Sequence, residues 1–264
     1  MRVDQQAEYQ RFLIPGFKPF DPVSLARETE SIVCKVELRK YTAFYVVGVY
    51  GGIATGYTVG CCYRCFYCWV DWSRDFPEKY GKFHTPHEAF ENLRRAAAKR
   101  GVKKLRISGA EPTLGREHLL GLLKEVEESE FPLFVLETNG VLFGHEKEYV
   151  RSIAPYSKVH VRVSLKAGTP EGLTSRTGAI PESFELPYQA IRNLIELGLS
   201  FHVACMSDPR IVRPVGFPGL DLPQLGLLSV CTASGQSTCW INTGLSQTER
   251  IFHSMDTAKQ ITLT

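Results

Sequence analysis

The sequence of 264 residues contains no run of eighteen apolar residues, so it predicts no transmembrane helix. Its N-terminal stretch, MRVDQQAEYQRF, has no apolar core of the kind that a secretory signal peptide needs. No internal repeat is visible. These absences predict a cytoplasmic protein. In that reducing compartment, clustered cysteines are more often metal ligands or redox groups than disulfides.

Strong basic clusters are also missing. The net charge of +3 and the pI of about 8.4 permit a nucleic-acid partner but do not argue for one. The densest basic stretch, RRAAAKRGVKK from Arg94 to Lys104, has the pattern of a solvated helix end. Hydrophobic residues make up 44% of the chain and charged residues 22%, which predicts a globular protein of one large domain or two small ones.

Strand-like and helix-like segments alternate from residue 53 onward. Five strands are predicted, at 53–60, 102–109, 131–140, 158–168 and 199–208, with helical segments between most of them. This alternation predicts parallel βαβ units, either in a barrel or in a doubly wound sheet. In both architectures the active-site residues lie at the carboxyl ends of the strands. In this chain the cysteines and the polar motifs SGAEP, ETNG and SLKAG also come at the ends of predicted strands.

The segments outside this alternation have a different composition. Residues 1–50 are predicted to be an irregular N-terminal extension with two possible strands, SIVCKVEL and AFYVVGVY. Residues 51–215 form the predicted core. Residues 216–264 are predicted to be an irregular C-terminal tail, because this stretch is rich in Ser and Thr and shows no helix pattern.

Four of the eight cysteines lie within eight positions, in the stretch VGCCYRCFYCWVD. A zinc site is a weak interpretation, because a second pair of ligands would have to come from far along the chain. A bacterial ferredoxin pattern that starts at Cys62 needs a fourth cysteine where Trp72 stands. The remaining pattern is Cys61-x3-Cys65-x2-Cys68.

This last spacing resembles the signature of the radical S-adenosylmethionine (SAM) superfamily. The resemblance implies that Cys61, Cys65 and Cys68 bind a [4Fe-4S] cluster whose open iron is chelated by SAM. It also implies that Tyr67, the aromatic residue before the third cysteine, is a cofactor-binding residue. Cys62 is then left over as a structural thiol or as a neighbour of the ligands.

Three other segments resemble SAM-binding motifs of the same superfamily. SGAEPTL resembles the Gly-Gly-Glu-Pro motif, with Ala110 in place of the second glycine, and implies that Glu111 meets the SAM ammonium. TNG resembles the polar turn after the third strand. SLKAG resembles the fourth-strand region that reaches the SAM ribose and carboxylate. The cofactor-binding residues implied by these motifs are Gly109, Ala110, Glu111, Asn139, Ser164 and Lys166.

A complete barrel of this superfamily has about six βα units, whereas five strands are predicted here. The expected fold is therefore an α/β protein with a partial (β/α)6-type TIM-like barrel of parallel strands. The sixth unit would follow Pro214, where the sequence becomes irregular. Either the barrel is open at that point or the terminus is atypical.

The resemblance implies an enzyme that cleaves SAM reductively to a 5'-deoxyadenosyl radical, which takes hydrogen from a substrate. That substrate is unidentified: a small molecule, a nucleoside, a peptide or a partner enzyme whose glycine becomes a radical. An electron donor such as a ferredoxin or flavodoxin is implied as well. The alternatives are a non-catalytic iron-sulfur electron carrier, with Cys34, Cys205 or Cys231 as fourth ligand, and a zinc-stabilised nucleic-acid-binding module. No catalytic side chain is predicted.

The strand KVHVRVSLKAG alternates fully between apolar and polar residues. Side chains alternate between the faces of a strand, so one face should pack under helices and the other should line a polar, ligand-filled lumen. Arg162 and His160 are predicted to lie deeper than Ser164 and Lys166 and to meet substrate or an internal carboxylate such as Glu137. Convergence of Arg162 and Lys166 beside the cysteines would predict a substrate that carries carboxylate or phosphate. The alternative is an edge strand with its polar face in water.

Overall fold

The structure is a computed structural model that describes residues 9–206, with side chains to Ala204, and the backbone of two later strands. The described strands are β1 (Cys34–Lys35), β2 (Leu38–Val47), β3 (Ile53–Thr58), β4 (Lys82–His84), β5 (Lys104–Gly109), β6 (Leu133–Thr138), β7 (Val159–Leu165), β8 (Ser200–Met206), β9 (Leu227–Cys231) and β10 (Gln236–Ile241). The described helices are α1 (Pro22–Val33), α2 (Asp71–Asp75), α3 (Pro86–Arg100), α4 (Arg116–Glu127), α5 (Val141–His145), α6 (Lys147–Ile153), α7 (Pro170–Thr177) and α8 (Glu185–Glu196). None of these helices is long and apolar enough to cross a membrane.

The strands form one mixed sheet in the order β1-β2-β3-β5-β6-β7-β8-β10-β9, and β4 pairs with the outer part of β2. Its centre is a run of five parallel strands, β3, β5, β6, β7 and β8. This sheet curls into a half-barrel, which confirms the α/β class and the partial TIM-like barrel of parallel strands. The five strands of the centre coincide with the five predicted from the sequence.

Local signals account for the helices that the sequence predicted. The side chain of Thr85 accepts a hydrogen bond from the backbone of Glu88, whose carboxylate accepts one from the Thr85 backbone, so the two residues form a capping box at the start of α3. Pro86 occupies the first helical position, and Gly101 ends the helix in the left-handed conformation with φ of 67°.

The N-terminal extension is more regular than predicted. Its residues 22–33 form helix α1, which begins at Pro22 because the Asp21 carboxylate caps the backbone of Val23 and Ser24. The prediction of a strand over SIVCKVEL was wrong for residues 31–33, which belong to this helix. AFYVVGVY lies partly in β2, which pairs antiparallel with β3 and so extends the central sheet.

The C-terminal segment supplies two antiparallel strands where a sixth parallel strand was expected. β10 pairs antiparallel with β8, and β9 pairs antiparallel with β10. The run of parallel strands is therefore followed by an antiparallel ribbon at this edge. The other residues of the predicted tail, 216–226, 232–235 and 242–264, lie outside the described residues.

Strand β7 has the two faces that its sequence predicted. Val161 and Val163 are fully buried in the core, and helix α8 packs against this strand. The alternate residues Arg162 and Ser164 are only partly buried and face the inside of the half-barrel. β7 lies between β6 and β8, so the alternative of an edge strand was wrong.

Candidate functional site

One cavity lies at the carboxyl ends of the parallel strands. Its volume is about 210 Å³, and it is partly open to solvent. All of the predicted site residues except His160 line it: Cys61, Cys65, Tyr67, Cys68, Gly109, Ala110, Glu111, Asn139, Arg162, Ser164 and Lys166. The half-barrel thus brings together segments that are more than a hundred positions apart in sequence.

The cysteines that fit the Cys-x3-Cys-x2-Cys spacing are the ones that border the cavity. Cys61, Cys65 and Cys68 line it, whereas Cys62 is fully buried behind the wall. The described residues contain no group of three or more His, Cys, Asp or Glu side chains that could hold a single metal ion. Three thiols that border one cavity fit a multi-iron cluster, in which each thiolate binds a different iron, whereas a tetrahedral zinc site needs four ligands around one ion.

Of the three cysteines considered as a fourth ligand, Cys34 is the one whose side chain the structure describes, and it does not line the cavity. Cys34 contacts the region of Gly115 and Arg39, away from the cavity lining. The side chains of Cys205, Cys231 and Cys239 lie outside the described residues.

Two buried arginines hold the cysteine loop through its carbonyl groups. Arg64 Nη1 donates to the carbonyls of Cys61 and Tyr63 at 2.8 and 3.0 Å. Arg74 Nη1 donates to the carbonyl of Cys65 at 2.5 Å and forms an ion pair with Asp75 at 2.6 Å. These bonds satisfy carbonyl groups of the loop, while its Arg64 and Phe66 N–H groups donate to carbonyls at the end of α7.

The thiols differ in their acidity. The hydrogen bond from Cys62 lowers the pKa of Cys61 to about 7, against the effect of burial. Burial raises the pKa of Cys65 to about 11, and the nearby Lys166 ammonium opposes this rise. Burial likewise raises the pKa of Cys68. Of these three thiols, Cys61 therefore deprotonates most readily, and the thiolate is the form that binds iron.

The Tyr63 hydroxyl in the cysteine loop lacks a partner among the described residues. Tyr63 lines the cavity and its hydroxyl oxygen is buried without a hydrogen bond, whereas the hydroxyl of Tyr67 is directed at Cys65. An unpaired buried hydroxyl is costly unless a ligand satisfies it. A cluster and a polar cofactor in this cavity would supply the missing acceptor, so the residues present fit those groups.

Glu111 is almost fully buried, with 1% of its surface exposed, and it holds two loops together. Its carboxylate accepts hydrogen bonds from Thr113 N and Oγ1 at 3.1 and 2.7 Å, from Thr138 Oγ1 at 2.7 Å and from Asn139 N at 2.8 Å. Its contact with the SAM ammonium stays a prediction. The structure adds a role that the sequence did not suggest, which is to fasten the turn after β6 to the turn after β5.

The glycine before this motif is required by the backbone. Gly109 has φ of 99°, and a Cβ atom there would lie 3.1 Å from the backbone N and O of Thr58. A larger residue would be strained by both the dihedral angle and the contact. Ala110 lies beside it in the cavity wall, where its backbone N donates to the carbonyl of Thr58 at 3.4 Å.

Glu137 is the central carboxylate of the lumen. Arg106 and Arg162 form ion pairs with it at 3.0 and 3.2 Å, and Ser108 Oγ donates to it at 2.6 Å. Burial alone would raise the pKa of Glu137, but the two arginines and the hydrogen bonds outweigh it and hold the pKa below its usual value. One carboxylate is thus shared by two guanidinium groups.

The cavity wall formed by β7 carries positive charge. Arg162 and Lys166 converge on the same cavity as Cys65, and Ser164 lies between them in sequence. His160, the second predicted substrate contact, does not line this cavity. It is buried below Arg162 and shares short hydrogen bonds of 2.7 Å with Ser200 and with His202.

Sequence comparison agrees with this geometry. The family model of the Radical SAM superfamily matches residues 56–222, which is more than half of the chain. The chain belongs to the Radical SAM superfamily. It is an enzyme, and its cofactors are a [4Fe-4S] cluster and SAM.

Similar proteins with assigned names cover only part of the chain. A "Probable GTP 3',8-cyclase" of Thermococcus kodakarensis is 32% identical over 121 residues, which are 46% of this chain and 36% of the relative. A protein of the same name from Methanococcus maripaludis is 28% identical over 143 residues, which are 54% of this chain and 45% of the relative. The chain thus spans less than half of the length of these curated relatives.

Among solved structures, SuiB of Streptococcus suis bound to the precursor peptide SuiA is similar, with 20% sequence identity and a TM-score of 0.46. The match covers 57% of this chain and 31% of SuiB. The SuiB structure bound to S-adenosylmethionine matches with a TM-score of 0.37 and 19% identity, over 66% of this chain and 41% of that one.

Several residues of the site were missed from the sequence. Arg64 and Tyr63 belong to the cysteine loop, Arg74 lies in α2 directly after it, and Arg106 pairs with Glu137, the internal carboxylate that the sequence did indicate. The cluster of charges after the cysteines is the signal that could have indicated Arg74. For Arg106 the signal is its position two residues before Ser108, which places both side chains on the same face of β5 with Arg106 deeper.

Proposed function

We propose that this chain cleaves SAM reductively and uses the resulting radical to take a hydrogen atom from an anionic substrate. The observation that carries the proposal is the convergence of three thiols and two cationic side chains, Arg162 and Lys166, on one cavity. A carboxylate or phosphate group of a substrate would pair with this positive wall.

When bound, the cluster would supply the electron for reductive cleavage of SAM, and a ferredoxin or flavodoxin is the proposed electron donor. The residues of the chain bind and orient the reactants. Cys61, Cys65 and Cys68 are the proposed cluster ligands. Ser164 and Lys166, at the carboxyl end of β7, are proposed to contact SAM, together with Tyr67, the Gly109 to Glu111 segment and Asn139. The buried wall limits access of water to the reacting atoms.

Arg162 is the proposed substrate contact, because it lies deeper than Lys166 on the same face and is 19% exposed in its side chain. Glu137 holds this guanidinium in place from the neighbouring strand. An arginine with one side fixed by a carboxylate can still direct its remaining N–H groups at an anion. A cytoplasmic location fits a site with free thiols, since that compartment keeps thiols reduced.

A nucleoside triphosphate is the first substrate to test. The similarity to GTP 3',8-cyclases over 121 to 143 residues favours nucleotide chemistry. The positive cavity wall is compatible with phosphate groups. Activation of a partner enzyme is the second candidate, and it predicts no dependence on a small anion.

The test is production of 5'-deoxyadenosine by the anaerobically purified, iron-loaded protein with SAM and a chemical reductant. We expect GTP to accelerate this production and guanosine, which lacks phosphates, to have little effect. Deuterium at the reacting carbon of GTP should be transferred to 5'-deoxyadenosine. A cluster whose spectrum does not respond to SAM would contradict the proposal and favour the electron carrier.

A further inference from the structure

Cys62 is the cysteine that the cluster pattern leaves over, and it has a defined place. It is fully buried and lies outside the cavity lining, next to Cys61 in the chain. Its sulfur accepts a hydrogen bond of 3.1 Å from Asn139 Nδ2, and the same Nδ2 lies 3.7 Å from the sulfur of Cys61. One amide group therefore faces both sulfurs.

The orientation of the Asn139 amide is fixed by its other contacts. Its Oδ1 accepts a hydrogen bond from Val141 N at 3.0 Å, and its backbone N donates to Glu111 at 2.8 Å. A flipped amide would lose the bond to Val141 and would place an oxygen, which cannot donate, against the sulfurs. The group that faces the thiols is therefore the NH2 donor.

The direction of the hydrogen bonds follows from what each group can donate. An asparagine NH2 only donates, and a thiol has one weak hydrogen to give. Cys61 as an iron ligand is a thiolate and can only accept. Asn139 therefore donates to Cys62 and, over a longer distance, to Cys61, and the one hydrogen of the Cys62 thiol is available to the adjacent Cys61 thiolate, which completes a chain of donation.

We infer that Asn139 and Cys62 are positioning residues that donate this hydrogen-bond chain to the Cys61 ligand and thereby set the reduction potential of the cluster. The inference rests on the proposed assignment of Cys61 as a ligand. Hydrogen bonds to cluster sulfurs stabilise the reduced cluster, which carries one more negative charge. Glu111 takes part indirectly, because it holds the backbone of Asn139.

The experiment measures iron and sulfide content and the reduction potential of the cluster in anaerobic protein without SAM. Cys62→Ala removes the last donor of the chain, whereas Cys62→Ser keeps a hydroxyl donor at that position. Asn139→Asp keeps the acceptor for Val141 and removes the NH2 group. Cys34→Ala is the control, because Cys34 is another free thiol outside the cavity lining, and no hydrogen bond between it and Asn139 or Cys61 is found among the described residues.

We expect Cys62→Ala and Asn139→Asp to retain iron and sulfide and to be harder to reduce. The ratio of reduced to oxidised cluster at a fixed potential should fall about tenfold, which corresponds to a shift of about 59 mV for a one-electron couple. Cys62→Ser should restore most of the wild-type ratio, and Cys34→Ala should not change it.

The possible failures are distinguishable. Full iron content with an unchanged potential in Cys62→Ala overturns the hydrogen-bond chain and leaves the ligand assignment intact. An equal shift in Cys62→Ser and Cys62→Ala overturns it as well, because donation would then not matter. Loss of iron from Cys62→Ala together with retention of iron in Cys61→Ala overturns the ligand assignment itself.

Discussion

The half-barrel holds polar side chains in two layers that behave differently. In the upper layer, which lines the cavity, Arg162 pairs with Glu137 while still bordering open space. In the lower layer, His160 bonds to Ser200 and His202 and is only 3% exposed. Arg162 and His160 lie on the same face of β7 and are two positions apart in the sequence.

The difference shows that alternation along a strand makes a polar face but does not decide whether that face binds anything. Buried polar groups must find partners. In the lower layer the neighbouring strand supplies them, since His160 and Ser200 are directly opposite in the β7–β8 register. In the upper layer the cavity leaves room for a ligand to supply them.

Substitution of the proposed cluster ligands should have the largest effect on the upper layer. Replacing Cys61, Cys65 or Cys68 with alanine should lower bound iron and sulfide to background and abolish formation of 5'-deoxyadenosine, because each thiolate is one of three protein anchors. Iron and sulfide analysis of anaerobic protein measures this. Retention of the cluster in any of the three variants would show that another residue is the ligand.

The second effect concerns Glu111, which has both a structural and a predicted cofactor role. Glu111→Gln should lower the free energy of unfolding by about 1–3 kcal/mol, since an NH2 group would face donors that now meet an oxygen. It should also weaken SAM binding while leaving the cluster present. Urea unfolding and SAM titration measure the two separately. The control is Glu117→Gln, at an exposed position of α4.

Loss of stability with unchanged SAM affinity would show that Glu111 only connects the two loops and does not bind the cofactor. Its predicted contact with the SAM ammonium would then be wrong.

The third prediction distinguishes a substrate-binding residue from a cofactor-binding residue in the upper layer. Arg162→Ala should weaken binding of the anionic substrate about 10- to 100-fold, the value of a charge-assisted hydrogen bond, and should change SAM affinity little. The measurement is the concentration of GTP that half-saturates 5'-deoxyadenosine formation. Arg151→Ala, at an exposed site on α6, is the control. An equal loss of SAM affinity would assign Arg162 to the cofactor.

The smallest effect on activity is expected in the lower layer, where stability should respond instead. Burial lowers the pKa of His160 from 6.5 to about 4 and lowers that of His202 as well. The unfolded chain therefore binds more protons between these values, so stability is complete above about pH 6.5 and is lost as the pH falls toward 4. For His160 the loss is on the order of 3 kcal/mol.

Urea unfolding at several pH values measures this loss. His160→Gln should make the pH dependence shallower, and His87→Gln, at an exposed position, should leave it unchanged. His118 also has a pKa lowered to about 4 by burial, so part of the dependence should remain in the His160 variant. If the free energy of unfolding of His160→Gln depends on pH as steeply as that of the wild type, the lower layer is not the source of the pH dependence.

The parallel centre of the fold was predictable because its signals are local. Caps such as Thr85 and Gly101 and the alternation of β7 act over a few residues. Helix α1 was missed because three early prolines masked it, although Pro22 after Asp21 is a favourable helix start. The antiparallel pairing of β10 with β8 was missed because it depends on contacts between segments about thirty positions apart.

The sequence by itself determined which residues carry the reactive and ligand-binding groups. The spacing of Cys61, Cys65 and Cys68 is part of the covalent sequence. The alternation of side chains along a strand is a property of the extended backbone. Both can therefore be recognised without knowledge of the fold. Only the tertiary structure decided which hydrogen-bond partners these residues have. Asn139 donates to Cys62, 77 positions away, and Glu111 holds Asn139 across 28 positions. Such bonds exist because the curled sheet brings strand ends together at one rim, and no local pattern encodes which side chains then come within hydrogen-bond distance.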